Sequence, residues 1–170
     1  MEKLIMLSLL AIMFCSFNST SQKQAASNPF MTDRFPTAFV INQHPTTFEA
    51  LNKEYSMLLL SACEEDMNKA FGTWKSLLNE ISFFALENNI DITGVKMWLK
   101  VFWSKDGQVE HIAYDLRPES KNIDRDEITA LLKEFVNSYK KTLTSSASKF
   151  SHYGSVSYPA RAKVTSLDSN

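Results

Sequence analysis

The pair Asp106-Gly107 constrains this chain more than any other feature. On either side of it, large apolar residues recur at every second position: Met97, Leu99, Val101 and Trp103 before it, Ile112, Tyr114 and Leu116 after it. A period of two marks a strand buried on one face, and Asp-Gly tolerates the positive φ of a tight hairpin turn. With Asp106 and Gly107 as the two loop residues, Val101 opposes Ile112, Leu99 opposes Tyr114 and Met97 opposes Leu116, all six apolar or aromatic. The same register sets Phe102 against His111, Lys100 against Ala113 and Trp98 against Asp115 on the other face. Turn chemistry and both strand patterns therefore specify one register, with the first set, Trp103 included, facing the helices.

The flanking segments have helical spacing. Ser61 with Glu64 reads as a capping box, followed by Met67, Ala70, Phe71, Trp74, Leu77, Leu78, Ile81, Phe84 and Ala85 at intervals of three and four. Asp124 with Glu127 opens a second long helix, lined by Ile128, Leu131, Leu132, Phe135, Val136 and Tyr139. Trp74 and Phe135 sit at the centres of these stripes and are expected to be core anchors. Thr46 with Glu49 reads as a third box, starting a short helix through Asn52, and the apolar run 55–61 has the length of a buried strand, with helix as the other option. Before these, Pro29, Pro36 and Pro45 punctuate an irregular stretch whose run 38–41 is a candidate edge strand. After the second helix, 140–149 is a Ser/Thr/Lys-rich loop, and 150–158 alternates as a last strand before Pro159. The expected class is α+β, a small antiparallel sheet with two long amphipathic helices packed on one face. The expected organisation is a signal peptide (1–21), an irregular segment (22–46), a single domain (47–160) and a polar tail (161–170).

The amino terminus has the order of parts of a secretory signal. Lys3 precedes an apolar run, 4–14, broken only by Ser8, and small polar residues follow, with Ser19 and Ser21 at the −3 and −1 positions of a cut before Gln22. The run is too short for a span of about 20 residues, so a soluble periplasmic or extracellular product without a membrane span is expected after cleavage. Cys15 follows the bulky Phe14, where a lipidation box requires a small residue, which argues against a lipid anchor. Cys63 is then the lone thiol, and its neighbours Leu58, Leu59 and Leu60 favour a buried small hydrophobe over a nucleophile.

The strand-Asp-Gly-strand unit 96–116, the helix from about Asp124 and the terminal strand 150–158 are together similar to the C-terminal domain of TonB-type energy transducers, over less than half of the chain. That resemblance implies an interaction domain of the bacterial cell envelope whose partner pairs with the terminal strand.

Eighteen Lys and Arg against nineteen Asp and Glu give a net charge of −1, which argues against nucleic-acid capture. The four glycines, Gly72, Gly94, Gly107 and Gly154, are too scattered for a phosphate-binding loop. His44, His111 and His152 lack metal-ligand spacing, and the pleat sets His111 and His152 on opposite faces. Glu64, Glu65 and Asp66 read as favourable charges at the start of the long helix. No pattern calls for a catalytic residue, a metal or a cofactor. Trp98, Lys100, Phe102 and His111, with Tyr153, form the aromatic and basic face of the sheet, beside Lys96 and Arg117; this face either receives a partner or is covered by the segment 29–45. The serine-bearing strand with Ser151 and Ser155 offers the other candidate surface, an exposed edge. The reading is an exported, non-enzymatic binding module whose partner is a protein or peptide; the alternative is an exported enzyme with a site of scattered residues. Mass spectrometry of the exported form is expected to give a chain beginning at Gln22; an intact Met1 or a lipid on Cys15 contradicts the soluble reading.

Overall fold

The computed structural model describes residues 35–141 and 146–159, which belong to one compact unit. Its elements run β1 (Ala38–Val40), a 3-10 turn (Ile41–Gln43), α1 (Pro45–Glu54), β2 (Met57–Leu58), α2 (Leu59–Ala62), α3 (Met67–Glu87), β3 (Lys96–Trp103), β4 (Val109–Leu116), α4 (Arg125–Ser138) and β5 (Phe150–Ser157). The expected signal segment with Cys15, the stretch 22–34 and the tail 161–170 lie outside the described residues.

The five strands form one sheet in the order β1-β4-β3-β5-β2. β3 is antiparallel to β4 and to β5, whereas β1 runs parallel to β4 and β2 parallel to β5, so the sheet is mixed and not the small antiparallel sheet expected. The parallel pairings join strands whose connections contain helices, as parallel crossovers require. β1 is the anticipated edge strand and already belongs to the sheet, so the domain begins before residue 47.

Every expected hairpin pair from Met97 with Leu116 to Phe102 with His111 is present. The register then shifts at a bulge, and Trp103 opposes Val109. Unbroken, it would set Glu110 opposite Trp103 on the helix face; the bulge keeps Val109 in the core and lets Glu110 reach the Tyr55 hydroxyl on the other side. The connection is accordingly five residues, not two, closed by Ser104 and Gln108, with Gly107 at a φ of 77°.

α3 and α4 pack on one face, as their stripes specify, over Met97, Leu99, Val101, Trp103, Ile112 and Tyr114. The buried Trp103 ring stacks on Phe150 at 5.3 Å, and Phe84 meets Phe135 at 5.7 Å. Asp124 caps α4 through the Asp126 N–H. α3, however, is capped by Asp66, which accepts from the Asn68 and Lys69 N–H groups. Ser61 lies in α2, and Glu64 and Glu65 stand at left-handed φ before the helix, so they do not form the expected box or the first helical turn. α1 starts with Pro45 at its first turn and His44 at its N-cap, without a side-chain cap from Thr46. It lies against the opposite face, where Leu51 and Tyr55 join Phe39, Phe102 and Ala113 in a second small core. Among the described residues the α-helices thus number four, on both faces.

The run 55–61 gives only two residues of strand, because Leu59, Ala62 and Cys63 turn into the helix-side core through α2. β2 therefore pairs with Phe150 and Ser151 alone. Truncating Phe135 or Trp74 to Ala is expected to cost about 3 to 5 kcal/mol of unfolding free energy, as for large aromatic deletions in packed cores; urea denaturation measures it, and a loss under about 1 kcal/mol would contradict their burial.

Candidate functional site

The outward residues of β3, β4 and β5 divide the second sheet face into a covered half and an open half. In the covered half Phe102 is fully buried, with Tyr55 edge-on at 5.3 Å and Phe48 at 6.4 Å. The half-buried His111 donates from Nδ1 to the Pro36 carbonyl at 3.0 Å and meets Phe35 and Tyr55 edge-on. The Lys100 ammonium lies 5.7 Å and 5.5 Å from the Phe48 and Phe102 ring centres, and burial lowers its pKa. On this half the segment before α1, together with α1, is the cover. Phe102 is thereby withdrawn from any partner surface.

A polar latch holds the cover down. The Lys149 ammonium reaches Glu54 at 2.9 Å, the Tyr55 hydroxyl at 3.1 Å and Glu110 at 3.2 Å, while Tyr55 donates to Glu110 at 2.5 Å. Burial, then the bond to Glu110, holds the Tyr55 phenol well above its ordinary value. Burial alone would lower Lys149, but its bonds to Glu54, Tyr55 and Glu110 prevail and raise it. Ser151 belongs to this latch as well: it is buried, and its hydroxyl donates to the Tyr55 carbonyl at 2.9 Å, so it is not on the exposed edge expected of it.

The open half is an aromatic platform. Trp98 and Tyr153, diagonal neighbours across β3 and β5, keep 41% and 48% of their surface exposed and stack at 5.6 Å with 18° between their planes. Arg117 lies 5.6 Å from the Trp98 ring centre, donates to the Ser155 hydroxyl at 2.7 Å and pairs with Glu119. Burial and the nearby Asp115 raise the Tyr153 phenol, so it is neutral near pH 7.

Next to the platform runs an open sheet edge. The Tyr158 N–H donates to Val95 and its carbonyl accepts from the Gly94 N–H, so the backbone of Tyr158 points toward β3. Antiparallel alternation then directs the N–H and C=O groups of Val156, Gly154 and His152 toward β3, and those of Tyr153, Ser155 and Ser157 away from it. Beyond Ser151, no strand among the described residues pairs with that outward side.

α3 overhangs this edge. It turns Phe84 toward Phe135 of α4, and Glu80 pairs with Lys141 just past that helix. Trp74 lies over β5, 4.6 Å from His152, and a Cβ at Gly154 would stand 3.3 Å from its ring, so a side chain there would make the Trp74 ring give way by a few tenths of an ångström. Farther along, α3 ends at Asn88 with Asn89 left-handed, a C-cap in which the Ile90 N–H reaches the Ala85 carbonyl. The chain so redirected walls a cleft of about 600 Å³ beside Pro159, lined by Asn79, Ser82, Phe83, Leu86 and residues 89–93.

The other sequence candidates are dispersed. Cys63 is buried in the core, as expected. His152 faces Trp74 on the helix side, opposite His111. Among the described residues no three His, Cys, Asp or Glu side chains are grouped to hold a metal ion, and no helix is long and apolar enough to cross a membrane. No family model matches the chain, and no curated protein or solved structure matches it.

Sequence reasoning placed the aromatic platform but not the cleft or the latch. The available signals were Phe83 and Leu86, which fall outside the helix's buried stripe, and the terminating pair Asn88-Asn89.

Burial holds both His111 and His152 below the ordinary histidine value. Their neutral forms are favoured on folding, so this contribution to stability is complete above about pH 6.5 and declines as the pH falls through that value toward their folded pKa values. Urea midpoints are expected to drop between pH 7.5 and pH 5, and the paired substitutions His111→Gln and His152→Gln to flatten that drop. An unchanged slope in the double variant would assign the dependence elsewhere.

Proposed function

We propose that this domain is a non-enzymatic interaction module that binds an extended segment of a partner protein or peptide by adding it as a strand to β5. The observation that carries this reading is the outward ladder of Tyr153, Ser155 and Ser157, unpaired by any described strand, at the border of an exposed aromatic platform. Unpaired ladder groups supply main-chain hydrogen bonds to an incoming strand, and the aromatic rings supply contact area at little entropic cost. The reading agrees with the resemblance to the TonB C-terminal domain, and with a partner met in the cell envelope after export.

The prediction separates main-chain from side-chain recognition. Using a partner isolated by pull-down with the mature protein from envelope extract, Ser155→Ala is expected to leave affinity nearly unchanged. Ser155→Pro, which removes an outward donor on an edge and spares the β3 ladder, is expected to weaken binding about tenfold or more. Trp98→Ala is expected to cost affinity through lost aromatic contact. Each variant is first checked for an unchanged unfolding midpoint. Binding that depends on Trp98 yet ignores proline at 155 would reject strand addition and assign recognition to the platform alone.

A further inference from the structure

We propose that the cleft at the C-terminal end of α3 is the specificity pocket of this strand-binding edge, taking large neutral apolar side chains carried by the partner strand on its helix-facing side. This rests on strand addition to β5. α3 follows β5 from Trp74 over Gly154 to the cleft beside Pro159, so a chain paired with Tyr153, Ser155 and Ser157 runs alongside the helix flank toward the cleft mouth. Alternate residues of such a chain face the helix layer, and the others lie beside the aromatic platform.

The cleft's chemistry selects what enters. Its apolar wall is Phe83, Leu86, Ile90, Ile92 and Pro159, with Phe83 63% and Leu86 72% exposed on an amphipathic helix whose other large residues are mostly buried. Its volume lies within the range that encloses small ligands, room for more than one large side chain. Among the described residues the one charged lining residue is Asp91, whose carboxylate is held by Lys121 at 2.6 Å and by the Thr93 N–H at 2.9 Å. An acidic side chain would meet this carboxylate, and a basic one would have to displace Lys121, so neutral apolar groups are favoured. A second copy pairing through its own β5 is a poor occupant: the helix-facing residues there are already engaged in its own fold, Phe150 stacked on Trp103, His152 and Gly154 against Trp74, and Val156 in the core. The occupant assigned to the cleft is a peptide from a different protein.

Two probes on the full folded domain test the pocket separately from the edge. The neutral fluorophore N-phenyl-1-naphthylamine reports the cleft, and fluorescein-labelled synthetic peptides alternating threonine with leucine, alanine, lysine or glutamate report the edge. Saturable dye emission is expected for the unmodified domain, weakened about tenfold or more by Leu86→Asp or Phe83→Asp, both at exposed positions that leave the core intact. Leucine peptides are expected to displace the dye and to bind about tenfold or more tightly than alanine peptides, with lysine and glutamate peptides weakest. Leu86→Asp should erase the leucine preference, while Ser155→Pro should abolish peptide binding and leave dye binding unchanged. Dye emission that is absent, or indifferent to both aspartate variants, overturns the pocket. Peptides that bind in a Ser155→Pro-sensitive manner without preferring leucine overturn the pocket and leave strand addition standing. A dye that binds but is displaced by no peptide overturns the pocket, and only peptides that fail to bind at all overturn strand addition with it.

Discussion

β3 carries hydrogen-bonded ladders on both of its sides, and the rest of the domain depends on how its side chains are sorted between two faces. Met97, Leu99, Val101 and Trp103 go to the large core under α3 and α4; Phe102, by contrast, anchors the small core under α1. A slip of one residue would exchange these sets and bring Lys96, Lys100 and the exposed Trp98 into the helix layer, so the register is strongly determined. The bulge at Trp103 belongs to this sorting, since it keeps the Glu110 carboxylate out of the large core and delivers it to Tyr55 and Lys149.

The parts legible in the sequence are those whose information is local. The hairpin register follows from alternation over adjacent strands, and α3 and α4 follow from stripes of Leu, Ile and Phe at helical spacing. Less accessible were the features decided by distant partners. Ala38–Val40 reads as an edge strand, but its parallel direction depends on residues more than seventy positions away. The run after Tyr55 has strand composition, and burial of Leu59 and Cys63 beneath the helices turns it into α2 instead. At the candidate site, Trp98, Tyr153 and Ser155 lie on the open half of the expected face, whereas Phe102 and Ser151 are buried because α1 crosses the end of the sheet where Tyr55 can reach them. The cover depends on a latch assembled from α1, β4 and the approach to β5, which no local pattern announces.

One early termination links fold and site. Because β2 stops after Leu58, two residues of β5 are sealed and the rest of its outer side is left without a described strand. The same turn leads into α2 and the left-handed pair Glu64-Glu65, from which α3 is launched along β5. The open edge, the overhanging helix and the cleft at its far end are thus three results of one change of direction in the chain.

The position of β5 also bears on the order in which the domain can be assembled. The strand that completes the middle of the sheet is the last described element, and β3 has no ladder on that side until residues 150–157 are present. β2, made far earlier, has nothing to pair with before then. A nascent chain ending short of Phe150 holds Trp103 without its stacking partner and α3 without the glycine beneath Trp74. Native packing at the centre of the sheet therefore waits for residues 150–157, whose partners in β2 and β3 all precede them in the chain.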